Sequence, residues 1–276
     1  MTWWAIDVRT APERRESVGA WLVARTGHAV EERDDGTLVT FAESEAGADE
    51  LVAALRADAD PAAQATRRRL DQVDWSTRWR EGLAARCIGR LTVTPSWVAA
   101  PSEDGPVVVV DPETAFGSGE HGSTRAALAL LDRYVTPGDR VLDLGSGSGI
   151  LSIAAVKLDA ARASGIEVDP EANEVARRNA ERNGVTDRVN FFEGDAADLA
   201  PLLGPAEIVL SNILRSINTA LLPAIHSALA PDGLAIFAGM EEPEAELFRP
   251  ALAGRGFRVL AEVSDAGWWA VAARRA

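Results

Sequence analysis

From residue 141 onward the apolar positions come in short runs. Each run ends in a glycine or polar turn and is followed by an amphipathic stretch. Residues 141–144 (Val-Leu-Asp-Leu) end in Gly145, Gly147 and Gly149, and a helix-forming run at 150–158 follows at once. The strand signal recurs at 163–168, 188–192, 207–210 and 234–238, with helical patterns at 170–183, 217–229 and 242–253. Residues 257–263 and 268–272 flank a turn at 264–267 and read as a hairpin. These seven strands, joined by repeated βα units, predict an α/β domain. Its sheet is mainly parallel, with helices on both faces and ligands bound at the carboxyl ends of the strands.

The first quarter of the chain has a different rhythm. Trp4, Ile6 and Val8 alternate with polar or small neighbours, as in a half-buried strand. Pro12 opens a helix running to about Arg25, with Val18, Trp21 and Leu22 at helical spacing and Thr26-Gly27 as its stop. Residues 28–33 and 37–41 flank Asp34-Asp35-Gly36, a hairpin signal that makes His28 a solvated strand residue. Residues 46–57 form a second helix on Leu51, Val52 and Leu55. The order β-α-β-β-α needs one more strand to complete a split βαβ sandwich. The candidate, 65–73 with Arg67-Arg68-Arg69, is by periodicity as easily a helix. Trp75 and Trp79 fall four apart on one helical face and read as a packing surface. The expected division is a small domain at 1–73, a linker helix and strand at 74–100, and a large domain at 101–276. Within it, strands at 90–94 and 107–110 lead into a long loop at 111–124.

The 276 residues leave room for one large and one small domain. A formal net charge of −14 argues against free nucleic acid as a partner and suits a basic protein, although solubility alone also accounts for it. No apolar run approaches the ~20 residues of a membrane span, and the start shows no basic n-region of a signal peptide. The single cysteine, Cys87, fits a reducing cytosol. His28, His121 and His226 are too scattered for a metal cluster. The expectation is a cytoplasmic monomer.

The chemistry concentrates at the glycine turn. Bare backbone N–H groups there can approach a ligand closely. Glu167, at the end of the next strand and roughly 20 residues on, is placed to accept hydrogen bonds from ribose hydroxyls. The spacing is Gly-x-Gly-x-Gly after Asp143, not the Gly-x-Gly-x-x-Gly of dinucleotide sites. An acid just before the loop is awkward for a pyrophosphate and suits a ligand carrying an amine and a sulfonium. A turn without a ligand and a dinucleotide site are the competing readings. Gly145, Glu167, Asp195 and Asn212 all fall at strand carboxyl ends, and together they favour a ligand site.

This combination resembles motif I of the class I S-adenosylmethionine (AdoMet) methyltransferases. Nearly end to end, the chain resembles the PrmA family, methyltransferases of ribosomal protein L-eleven. The resemblance is carried by Asp74-Trp75 with Trp79, Pro95-Ser96-Trp97, Asp111-Pro112, Ala115-Phe116-Gly117, His121, Thr124, residues 145–151 and Asn212-Ile213-Leu214. It implies a seven-stranded Rossmann-like domain preceded by a small ferredoxin-like domain that grips the substrate protein, with 65–73 as a strand. It also implies AdoMet contacts at Thr124, Gly145, Gly147, Glu167, Asp195 and Asn212, and methyl transfer to lysine or N-terminal amines of L-eleven. Asn212 would orient the amine or the methionine part of the cofactor; His121 would accept a proton or brace the loop. Ser118 and Ser123 stand where the family has threonines, and Glu167 where it has aspartate, with little effect on cofactor chemistry. Residues 83–88 and Arg215-Ser216 depart from the family near the expected substrate entrance, which bears on the methyl acceptor. Another basic protein, a small amine, or a non-catalytic AdoMet-binding module in ribosome assembly are the alternatives.

Overall fold

The computed structural model describes residues 3–26, 30–33, 35–69, 83–100 and 105–275. They belong to two compact units, Met1–Glu81 and Gly82–Ala276. His28, Trp75 and Trp79, to which the sequence assigns a strand position and a helical face, lie outside the described residues.

In the first unit, β1 (Trp4–Arg9), β2 (Glu31–Glu32), β3 (Leu38–Ala42) and β4 (Gln64–Arg69) form a sheet in the order β2-β3-β1-β4. The neighbours are antiparallel, as in a split βαβ sandwich. Helices α1 (Arg15–Thr26) and α2 (Glu45–Ala54) supply Val18, Leu22 and Leu51 to a core shared with Ile6, Val8 and Leu38. Ser44 caps α2 by accepting from the Gly47 N–H. The segment that periodicity left open is a strand over Gln64–Arg69, paired along β1. Two of its arginines are paired with acids of neighbouring elements. Arg67 reaches Glu45 (2.8 Å) and Asp49 (2.6 Å) of α2, and Arg68 reaches Asp7 of β1 (3.2 Å). Charge along this edge strand also discourages pairing with a second chain.

The second unit opens with a small sheet. Here β5 (Arg86–Ile88) pairs antiparallel with β6 (Leu91–Thr94), and β6 pairs parallel with β7 (Val107–Val109). The helix α3 (Gly122–Tyr134) leads into β8 (Arg140–Leu144), α4 (Ile150–Lys157), β9 (Arg162–Glu167), α5 (Pro170–Arg182), β10 (Val189–Glu193), α6 (Ala196–Leu203) and β11 (Ala206–Asn212). Then come α7 (Arg215–Ala228), β12 (Leu229–Glu241), α8 (Ala245–Gly254), β13 (Phe257–Asp265) and β14 (Trp268–Arg275). The sheet runs β10-β9-β8-β11-β12-β14-β13, parallel through β12, with β14 antiparallel to both its neighbours. This is the seven-stranded sheet ending in a hairpin that the alternation predicts. One detail differs. The strand expected at 234–238 begins earlier: Pro231-Asp232-Gly233 lies inside β12, where the register against β11 jumps between Ala206/Leu229 and Ile208/Leu234. Asp232 takes a left-handed φ of 61°, so the turn residues form a bulge and the strand continues.

Each face of this sheet has its own core. Val141, Ile153, Val156 and Ile208 pack on one side; Leu142, Leu144, Phe237 and Phe248 pack on the other. Between β8 and β11 the strand order changes direction, which opens a crevice at their carboxyl ends.

Candidate active site

The crevice is a cavity of about 570 Å³ whose lining includes Gly145, Gly147, Glu167, Asp195, Asn212 and His121. Its floor is the turn after β8. Gly145 and Gly147 hold left-handed φ values of 71° and 51°. A β-carbon on Gly145 would lie 2.6 Å from Ile213 Cγ2, and one on Gly147 would lie 2.5 Å from the Phe116 carbonyl oxygen. Both positions therefore require glycine for conformation and for space. The Gly145 and Ser146 N–H groups donate to the Ile166 carbonyl, at 2.8 and 3.1 Å, fixing the turn to β9.

Glu167, the last residue of β9, is on the wall and already engaged. Its Oε2 accepts from the Gly147 N–H (3.0 Å), and its Oε1 from the N–H groups of Val168 (2.9 Å) and Asp169 (3.2 Å). A carboxylate offers about four acceptor directions, so one remains on Oε2 for a ligand donor. Asp195 follows β10 and caps α6, accepting from the Ala197 N–H at 2.8 Å through Oδ1. The residue is part of the cavity lining.

Asn212 closes β11 and is 9% exposed. Its amide Nδ2 donates to Thr124 Oγ1 at 3.3 Å, while Oδ1 is buried without a protein partner. An unpaired buried acceptor costs roughly 1–3 kcal/mol, a cost a ligand N–H would relieve. Thr124 itself is fully buried in the first turn of α3 and is not part of the lining; it reaches the site through Asn212.

His121 immediately precedes α3. Its Nδ1 is 2.7 Å from Ser123 Oγ. Its ring lies 4.2 Å from that of Trp268 and edge-on to Phe116 at 5.2 Å. Burial, with the Arg125 guanidinium adding to it, holds its pKa below the usual imidazole value, so the ring is neutral at pH 7. Asp143 departs from expectation: it shares a face with Val141 and points at α4, away from the cavity. Its Oδ2 accepts from the Ser152 hydroxyl (2.7 Å) and N–H (3.1 Å). Complete burial pushes its pKa up to about 6, with Glu167 contributing and the Ser152 bonds opposing. It supports the turn and does not contact a ligand in the cavity.

Further residues hold the site in place from behind. Ser148 ties the turn to the 111–124 loop: its N–H donates to the Phe116 carbonyl (2.8 Å) and its hydroxyl to that of Gly117 (2.6 Å). Buried Asn179 of α5 donates to the Ser148 and Asp111 carbonyls and accepts from the Asp111 N–H. Asn183, one turn on, exchanges the same pair of bonds with Val109, so two side chains continue the ladder of β7. Asp111 accepts from the Ser96 N–H (2.9 Å) and hydroxyl (2.8 Å), which explains the Pro95-Ser96-Trp97 signature. Trp268, read only as the start of a strand, forms part of the cavity wall. The turn that carries it is locked to α3 by the bidentate Arg125–Asp265 pair, at 2.8 and 2.5 Å.

A glycine cradle, a carboxylate at the end of the second strand, a second carboxylate after the third and an orphan amide oxygen after the fourth suit an AdoMet-type ligand. The chain's relatives agree. The family model described as "Ribosomal protein L11 methyltransferase (PrmA)" matches residues 4–276. The ribosomal protein L11 methyltransferase of Pelotomaculum thermopropionicum is 39% identical over 216 residues, 78% of this chain and 70% of that protein. Its counterpart in Thermus thermophilus is 40% identical over 195 residues, 71% and 75% of the two chains. A crystal structure of ribosomal protein L11 methylase from Lactobacillus delbrueckii subsp. bulgaricus superposes with a TM-score of 0.63 at 28% identity, covering 70% of this chain and 98% of that one. The chain belongs to the ribosomal protein L11 methyltransferase (PrmA) family.

Proposed function

We propose that this protein methylates amines of ribosomal protein L11 (lysine side chains, the N-terminal amine or both), with S-adenosylmethionine as donor. The observation that carries the reading is Asn212 Oδ1, an unpaired acceptor beside the glycine cradle where the sheet reverses order. When bound, AdoMet would supply an activated methyl group whose carbon a neutral amine attacks in line, the C–S bond breaking and the thioether of S-adenosylhomocysteine leaving with the electron pair. Gly145 and Gly147 would admit its methionine part, Glu167 would hold a ribose hydroxyl and Asp195 the adenine amine. The protein's remaining task is to place the amine and let its proton leave. Asn212 Oδ1 accepts an N–H of the amine and so leaves the lone pair facing the cavity. His121, neutral at pH 7 and on the same wall, is available to take the released proton.

The small domain, residues 1–73, would bind the protein substrate, and the 74–100 linker would set its reach. The chain's acidity suits a basic ribosomal protein. Among the described residues no helix is long and apolar enough to cross a membrane and no cluster could hold a metal ion. The proposed setting is the cytoplasm, with the protein acting as a monomer and without direct nucleic acid contact. The test is the mass of L11 before and after incubation with the protein and AdoMet. Increments of one methyl group support the reading, and an unchanged mass overturns it. Labelled AdoMet in whole lysate would then reveal a different acceptor.

A further inference from the structure

We propose that Gly122 is a positioning residue for methyl transfer: its missing side chain lets the β13–β14 turn seat on the start of α3, and so sets where Trp268 stands in the cavity wall. The inference rests on the methyl-transfer reading above.

Gly122 is the first residue of α3 and is buried. Its backbone does not take the left-handed conformation that calls for glycine elsewhere in this chain. By helix propensity alone, alanine would be the better residue there. Space explains the glycine. A β-carbon at 122 would run into the Asp265 carbonyl oxygen and lie 2.9 Å from Trp268 Cδ1. Asp265 and Trp268 are cross-strand partners that close the hairpin, so a push on one is passed to the other. Between them Ala266 and Gly267 hold left-handed φ values of 50° and 82°, as a tight two-residue loop requires.

The turn has little room to yield. Arg125 grips the Asp265 carboxylate at 2.8 and 2.5 Å while also donating to the Glu120 carbonyl. From the other side the Glu242 N–H donates to the Gly267 carbonyl at 3.0 Å. A methyl group at 122 must therefore shift the turn by a sizeable fraction of an ångström, and Trp268 with it. The residues assigned to the cofactor cradle, ribose and adenine follow β8, β9 and β10. Trp268 opens β14, on the other flank of the point where the strand order reverses. Its displacement falls on the half of the cavity left for the amine, and on the His121 ring 4.2 Å away.

The experiment is a double-mutant cycle on methylation of L11, with calorimetric binding of S-adenosylhomocysteine as the second readout. A misplacement of about 1 Å can cost about 100-fold in rate, so Gly122→Ala should lower kcat by roughly 10- to 100-fold. KM for L11 and S-adenosylhomocysteine affinity should each stay within about threefold. In a Trp268→Ala background, Gly122→Ala should change kcat by less than about twofold, because the side chain it places is gone. Should Gly122→Ala not fold, Arg125→Met carries the test: it loosens the same seat from the other side and should give the same split between rate and affinity. A wild-type kcat in the folded variant, an S-adenosylhomocysteine affinity that falls in step with the rate, a loss confined to KM, or losses that multiply in the double variant would each overturn the inference while leaving the functional reading intact. Wild-type protein that leaves L11 unmodified overturns the functional reading and this inference with it.

Discussion

Glu167 is the residue at which the cofactor assignment can be tested most sharply, because the structure limits how much it can contribute. Three of its roughly four acceptor directions are taken by the N–H groups of Gly147, Val168 and Asp169. It can therefore accept one ribose hydroxyl at full strength and a second only by sharing. A hydrogen bond to a charged group contributes about 1.5–3 kcal/mol, so Glu167→Ala should weaken S-adenosylhomocysteine by roughly 10- to 150-fold. Glu167→Gln keeps one acceptor oxygen without the charge and should fall between wild type and Ala, at about 3- to 10-fold. The lost tie to Gly147 adds a stability effect. The thermal midpoint of the ligand-free Ala variant should drop by a few degrees, since one bridge across the turn is gone. Isothermal calorimetry and thermal melts on the three proteins separate the two effects. An unchanged affinity in Glu167→Ala would remove this carboxylate from the site. A Gln variant weaker than Ala would mean that the backbone bonds, not a ribose, are what the residue serves.

Gly145→Ala should both destabilise the protein and weaken S-adenosylhomocysteine more than tenfold. The new β-carbon meets Ile213 Cγ2 at 2.6 Å at a φ of 71°, which costs about 1–2 kcal/mol for a non-glycine residue even before the clash; a melting curve superimposable on wild type would contradict this. Asp143 has a folded-state pKa raised to about 6, above its ordinary carboxylate value, so its burial becomes a penalty as pH rises through the window of about 4 to 6 and is constant above it. Thermal melts of Asp143→Asn against wild type across pH 4–8 should therefore shift in favour of Asn by on the order of 3 kcal/mol between pH 4 and 6 and then run flat; a difference independent of pH would show the carboxyl is not buried in its charged form. Deleting residues 1–71 should leave S-adenosylhomocysteine affinity within a few-fold while abolishing most methylation of dilute L11, with partial recovery at high L11 concentration, because only the tether is lost; equal rates on dilute L11 would deny the small domain a recognition role.

What could be read along the chain and what could not divide on one physical distinction: whether a residue's neighbours are local or arrive through pairing. The seven strands were legible because each carries its own apolar run and closing turn. Gly145, Glu167, Asp195 and Asn212 were legible as one edge because any residue that ends a parallel strand lies there whatever the strand order. The helix α6 was not, since its Ala-Ala-Asp-Leu-Ala-Pro-Leu-Leu run contains Pro201 and leaves Leu202 77% exposed, so no clean stripe marks it. The short strand β5, with Arg86 and Cys87 outward, was hidden for the same reason. The nature of the 64–69 segment turned on Glu45, Asp49 and Asp7, far from it in sequence.

Facing is harder than placing, and the site shows why. Asp143 sits two residues before Gly145, yet the period-2 alternation of β8 sends it to α4, and only the position of Ser152 reveals that it supports the turn from beneath. Thr124 lies in a loop-to-helix segment rich in site residues, yet it turns inward and meets the ligand's neighbourhood through Asn212, 88 residues away. Asn179 and Asn183 lie at the carboxyl end of an amphipathic helix. Their spacing of four places both amides on one edge, and the backbone of 109–111, some 70 residues earlier, is what they satisfy. In each case a polar group that looks solvated along the chain is buried, and a buried polar group must be paired. Its partner is supplied by the fold, which is why the chemistry of this site could be named from the sequence before the residues that hold it rigid could be.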